Sequence, residues 1–158
     1  TYKEAVMAFT GNFMTTSFKT ELLSGIHAIG TTVVRAATTA DTFKLALYTD
    51  AATLTAATTA YTTSGETTNT SGSAYVAGGN TLTSGTTSSS GTTAFADFAD
   101  SSWTTASFTA RGALLYNSTQ GNKSVVVLDF GSDKTASAGT FTVIFPTNDA
   151  SSAIIRIA

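Results

Sequence analysis

The sequence contains no cysteine, which excludes disulfides, thiolate nucleophiles and cysteine-held zinc or iron–sulfur centres. Its single histidine, His27, cannot bring a second imidazole to a metal site, and any catalytic triad would have to be built around it alone. Between Ile26 and Ile29 it reads as a structural side chain. Charge is scarce too. Charged residues make up 11% of the chain, against roughly 25% in ordinary soluble domains. The net charge is −2 with no basic stripe, so nucleic acid and anionic membrane are not expected partners. No apolar run approaches the roughly 20 residues of a membrane-spanning helix, and no charged stretch precedes an apolar one as in a signal peptide. The one proline, Pro146, follows an apolar run and marks its end.

What fills the polar positions instead is Thr and Ser, together about a third of the chain, beside 42% apolar residues. Hydroxyl residues suit exposed strand faces and turns because they solvate without demanding charge partners. The length of 158 residues supports one domain with one core. Residues 1–16 are apolar for a terminus and read as an arm or first strand, leaving 17–158 as a single β-rich domain. Phe18, Leu22, Leu23 and Ile26 recur at helical spacing, with Ser17 as cap and Gly25 as stop, which predicts one short helix. From residue 41 the pattern is of strands. Residues 41–50 alternate, with Phe43, Leu45 and Leu47 on one face and Lys44, Ala46 and Tyr48 on the other. Residues 51–73 and 83–93 read as long surface loops or weak edge strands, and 73–82 as two short strands about a Gly78-Gly79-Asn80 turn. Residues 107–116 and 123–131 form a predicted hairpin about Gln120-Gly121-Asn122. Within it, Phe108, Ala110, Gly112, Leu114 and Tyr116 are expected on one face, and the Val125–Leu128 run suits burial on both sides. Strands at 140–145 and 152–158 complete the count. The expected fold is all-β, a two-sheet sandwich or jelly roll with one short N-terminal helix.

Chemistry-bearing groupings are weak. The pairs Asp97/Asp100 and Asp129/Asp133 offer oxygens for Ca²⁺, but at no EF-hand spacing, and they do not form a recognisable glycosidase pair. Gly78-Gly79 lacks the following Lys-Ser/Thr of a P-loop. Asn69, Asn117 and Asn122 begin Asn-x-Ser/Thr sequons, about as many as chance supplies in so Ser/Thr-rich a chain. Tyr48, Tyr61, Tyr75, Phe95, Phe98 and Trp103 provide rings for a carbohydrate platform, although core packing is the simpler use. Arg111 and Arg156 lie within apolar strands, where a charge needs an exposed edge or a carboxylate partner. With Val6, Met7, Phe9, Phe13 and Met14 they form the candidate assembly interface. No catalytic residue, metal ligand or cofactor site is expected, and the chain reads as non-enzymatic.

The phrases FKTELLSGIH (18–27), DTFKLALYTD (41–50), AYVAGGNTL (74–82), TTAFADFADSSW (92–103), FTARGALLYNS (108–118) and the run from Val125 to Ala158 resemble a family of small virion structural proteins of tailed bacteriophages. They span nearly everything after the first dozen residues, and no catalytic motif accompanies them. The resemblance implies a virion component, assembled in the host cytoplasm, whose partners are copies of itself and a major capsid or tail protein. Of the roles it leaves open, a capsid decoration or cement protein is the leading expectation. A tail, collar or filament subunit is the second, and a carbohydrate-binding module is a rival from another class.

Overall fold

The computed structural model describes residues 11–15, 17, 18, 22, 26–31, 39–68, 74–85, 87–91 and 93–157. Eight strands run through these residues: β1 (Phe13–Met14), β2 (Phe43–Tyr48), β3 (Asn80–Thr81), β4 (Ser88–Ser90), β5 (Thr93–Ala96), β6 (Ser101–Asn117), β7 (Lys123–Val143) and β8 (Ile155–Ile157). They form two antiparallel sheets, a larger one in the order β1-β7-β6-β2-β3 and a smaller one in the order β4-β5-β8. This is the expected β-sandwich. Most of the segment expected to be helical, 18–26, lies outside the described residues, but Phe18 is fully buried in the core.

Alternation along β2 dictates how the layers stack. Phe43, Leu45 and Leu47 point into the main core with Phe98 and Trp103, and with Ala96 of β5 and Ile155 of β8 from the smaller sheet. Ala46 and Tyr48 point to the opposite face, where Leu114, Tyr116 and Val127 form a second cluster under Ala52, Leu54 and Tyr61. The segment after β2 is therefore more than the surface loop its composition suggests. It folds back over the outer face of the large sheet, held by Thr49 N–H to Gly65 O (2.9 Å) and Thr67 N–H to Leu47 O (2.8 Å). At 74–82 only the second of the two expected strands forms, as β3.

The β6–β7 hairpin is the spine of the protein, and it departs from the pattern in two ways. Face alternation breaks at a bulge between Ala110 and Gly112. Phe108 and Ala110 thus share the main core with Ala113 and Leu115, while Leu114 and Tyr116 turn to the outer cluster. Second, the stretch expected to separate two strands is continuous strand, so β7 reaches 21 residues. Residues 131–140 carry little apolar side chain to announce a strand, and the partner strand organises them instead. Thr109 faces Thr135 with their hydroxyls 2.8 Å apart, and nearer the strand's end Ser102 faces Thr142 at the same distance.

Candidate functional site

The smaller sheet covers only part of the larger one, and the uncovered corner is a groove of about 880 Å³. One wall is the core-side face of β7 and its continuation, with Val126, Leu128, Phe130, Phe141, Val143 and Phe145. The other wall is Ser152–Arg156, leading into β8, and the mouth is formed by Asn12 and Met14 at β1. Both flanking strands offer an edge. β1 pairs with β7 only at Val126 and Val127, and β8 is the last strand of its sheet, so among the described residues neither the rest of β7 nor the outer side of β8 has a strand partner there. Such edges present unpaired backbone groups to any chain that can lie against them. Ile144, 76% exposed, stands at the groove's end, a side chain that gains by being covered.

The sequence-predicted interface residues divide. Val6, Met7 and Phe9 lie outside the described residues, as does the side chain of Phe13, whose backbone pairs with Val127. Met14 packs partly buried against the core at the groove's mouth. Arg111 meets Asp129, with Nε 3.2 Å from Oδ1, so its charge is answered within the chain by one member of the Asp129/Asp133 pair. Arg156 is exposed on β8 at the groove. The candidate Ca²⁺ oxygens are largely committed. Asp97 is buried, accepting from Phe98 N–H (2.8 Å) and Ile154 N–H (3.1 Å), and Asp100 accepts from Phe145 N–H (2.9 Å). Burial holds the Asp97 carboxyl above its usual pKa, the two backbone donors opposing that shift. Among the described residues no group of three His, Cys, Asp or Glu side chains is gathered for a metal.

Nor do the rings make an outward platform. Tyr48, Tyr75, Phe98 and Trp103 are buried, with Phe98 against Phe43 and Trp103 between Tyr75 and Phe141. Phe95 sits apart on β5, paired with Arg156. Asn117 is wholly buried, which removes its sequon from reach of glycosylation. Its side-chain amide donates to Asp41 Oδ2 (2.9 Å) and lies 3.0 Å from His27 Nδ1. His27 thus joins an internal network that ties the N-terminal segment to the hairpin turn, where Gln120 also donates to Asp41 (3.0 Å).

Composition gave no hint of a second buried network, centred on Glu66. Glu66 Oε1 accepts from the Tyr75 hydroxyl and from Gly78 N–H, and Oε2 accepts from the Tyr61 hydroxyl, each at 2.6 Å. Tyr75 in turn accepts from Leu47 N–H (3.0 Å), while Tyr116 donates to Gly78 O (2.8 Å) and Tyr48 to Thr62 O (2.6 Å). One carboxylate thereby clamps the returning segment, the Gly78 turn and β2 together. Its signal in the sequence is slight: a lone acid at 66 in a Thr/Ser/Gly stretch bracketed by Tyr61 and Tyr75.

No protein-family model, curated protein or solved structure matches the chain. The site must therefore be read from its own chemistry. Its buried polar side chains hold the fold, and its openly available surface is a groove between two strand edges, walled by apolar side chains and bordered by the exposed Lys134 and Arg156.

Three buried tyrosines and the half-buried Tyr61 give the network a pH signature. Desolvation raises all four hydroxyls, Tyr116 to about 12 and Tyr48, Tyr61 and Tyr75 further, from an ordinary value of 10.0. A folded-state pKa above the unfolded one leaves stability intact below the unfolded value and removes it as pH rises beyond, because the unfolded chain alone sheds protons there. Thermal unfolding midpoints should stay level on approach to about pH 9 and fall steeply above about pH 10. A midpoint unchanged across that range would show that these hydroxyls are not held protonated by the fold.

Proposed function

We propose that the chain is a non-enzymatic virion structural protein that decorates a phage capsid and reinforces it by non-covalent assembly. The observation that carries this reading is the open groove beside two strand edges that have no strand partner among the described residues, in a chain where Asp97, Asp100 and Asp129 and most of the described aromatic side chains are engaged internally. The phage-like phrases of the sequence supply the setting. The chain's low charge density permits close lateral packing of copies, and its Thr/Ser-rich loops suit the water-facing side. A strand or apolar segment of a neighbour seated in the groove would hydrogen-bond to an edge and cover Ile144, Phe130 and Phe141. An interface of ordinary size removes roughly 1,600 Å² in total from water, more than the groove alone offers, so the flanking edges and the surface around them would share in the contact.

The test is occupancy on purified particles, measured by quantitative mass spectrometry and by gold labelling of the heads. Many copies distributed over the head are expected. Copies confined to one ring at the neck or along the tail would instead make this a tail subunit, and complete absence from particles would end the virion reading. A glycan array provides the control from the other class: specific binding lost on Trp103→Ala would favour a carbohydrate module, but burial of that ring predicts no such signal.

A further inference from the structure

We infer that the groove receives residues 1–10 of a second copy, so that neighbouring subunits are tied by an exchanged N-terminal strand. The inference rests on the assembly reading above and names the partner of its groove. Its starting point is how β1 ends. In the antiparallel register Phe13 faces Val127 and Met14 faces Val126, so a continuing strand would bring Gly11 opposite Asp129. Instead, the side chain of Asn12 accepts the Asp129 N–H, and Gly11 takes φ +135, a backbone region open to glycine and closed to other residues. Among the described residues the ladder ends there, and the β7 edge beyond Asp129 has no strand partner.

The segment before the described residues suits that edge. Ten residues in extended form span roughly 33 Å, and the described chain reaches Asn12 at its own groove, so two copies that meet at this corner would each start an arm within reach of the other's groove. Extended, Ala5, Met7 and Phe9 share one side and Val6 and Ala8 the other, so either register of addition turns apolar groups toward the wall of Phe130, Phe141 and Val143. Charge agrees as well, since the arm carries Glu4 and the groove presents the exposed Lys134 and Arg156. Strand addition of this kind takes its affinity from main-chain hydrogen bonds and its selectivity from alternate side chains in pockets.

The cysteine-free sequence makes the test direct. One tagged full-length chain carries Ala5→Cys, and a second, untagged chain carries Ile144→Cys or Lys134→Cys; both groove positions are exposed, so the fold is not disturbed. Concentrated mixtures are oxidised and resolved without reductant. A covalent dimer of tagged with untagged chain, lost when Met7→Asp and Phe9→Asp are added to the arm, is expected. Closure only within one chain when both cysteines are placed on the same molecule, or no cross-link in the mixture with either groove position, would overturn the inference. Scored on purified protein, the cross-link needs no capsid. Its absence from a chain that still decorates heads removes only the arm exchange, whereas its presence in a chain absent from particles leaves the exchange standing and removes the virion reading.

Discussion

Replacing Glu66 with alanine should lower the stability of the fold by about 3–5 kcal/mol, as the hydroxyl of Tyr75 and the Gly78 N–H lose their acceptor inside the protein and that of Tyr61 loses it nearer the surface. Each buried donor left without a partner costs about 1–3 kcal/mol, and the half-buried Tyr61 recovers part of its loss through water. In a chain of this size the midpoint should fall by roughly 6–20 °C, since each kcal/mol shifts it by about 2–4 °C. The damage should be spatially selective. Amide exchange should rise first at Leu47, Thr49 and Thr67, whose hydrogen bonds join β2 to the returning segment and to Tyr75, and should spare Val125–Leu128 in the middle of the hairpin. Tyr75→Phe alone should cost less, and in the Glu66→Ala background its effect should shrink to the loss of the acceptor for Leu47 N–H, because both changes break the same Tyr75–Glu66 hydrogen bond. Full additivity of the pair would mean that the network does not act as a unit.

Gly79→Ala should rival it for a different reason. Gly79 follows the turn closed by its own N–H on Val76 O (2.9 Å) and lies directly over β2. A Cβ there would stand 1.8 Å from Leu45 O and 2.7 Å from Ala46 Cα, both backbone atoms that no side-chain rotation can move aside. The residue also has φ +70, which costs a non-glycine residue about 1–2 kcal/mol before any overlap. Relief requires β3 to lift from β2 and with it the Gly78 N–H that Glu66 accepts. The total should reach about 4 kcal/mol, near the upper end of single-residue effects. Gly91 and Gly121 serve as controls. Each has positive φ with nothing within 4 Å of where an added methyl group would stand, so alanine there should cost only the conformational part. Equal losses at all three positions, by chemical denaturation, would contradict the close-approach argument.

The residues that announced themselves were those whose environment follows from local pattern. Phe43, Leu45 and Leu47 alternate with smaller or polar neighbours, and the strand they predict lies between two partners with both faces buried. The Gln120-Gly121-Asn122 turn and the Val125–Leu128 run were equally legible, since a tight turn demands its own residue types and continuous β-branched residues demand two covered faces. What pattern did not show depends on partners distant in sequence. Residues 131–140 form strand because β6 lies beside them and offers hydrogen bonds and facing hydroxyls. The bulge at Ala110/Gly112 swaps faces midway along a strand, which strict alternation does not anticipate. Glu66 is buried because Tyr61, Tyr75 and the Gly78 turn converge on it from three segments. The groove was illegible for the same reason: its walls are β7 and residues 152–156, joined only by the stacking of the sheets. Of the interface residues chosen from the sequence, Arg111 proved to be answered by Asp129, while Met14 and Arg156 both border the groove.

The proposed meeting surface is the groove with its two strand edges, and particle imaging tests that proposal most directly. A cryo-electron microscopy map of the purified particle, searched with this two-sheet fold, should show it repeated over the outside of the capsid, with density filling the groove between β7 and Ser152–Arg156. A particle whose map has no site for the fold, or a fold bound with that groove facing empty solvent, would contradict the account.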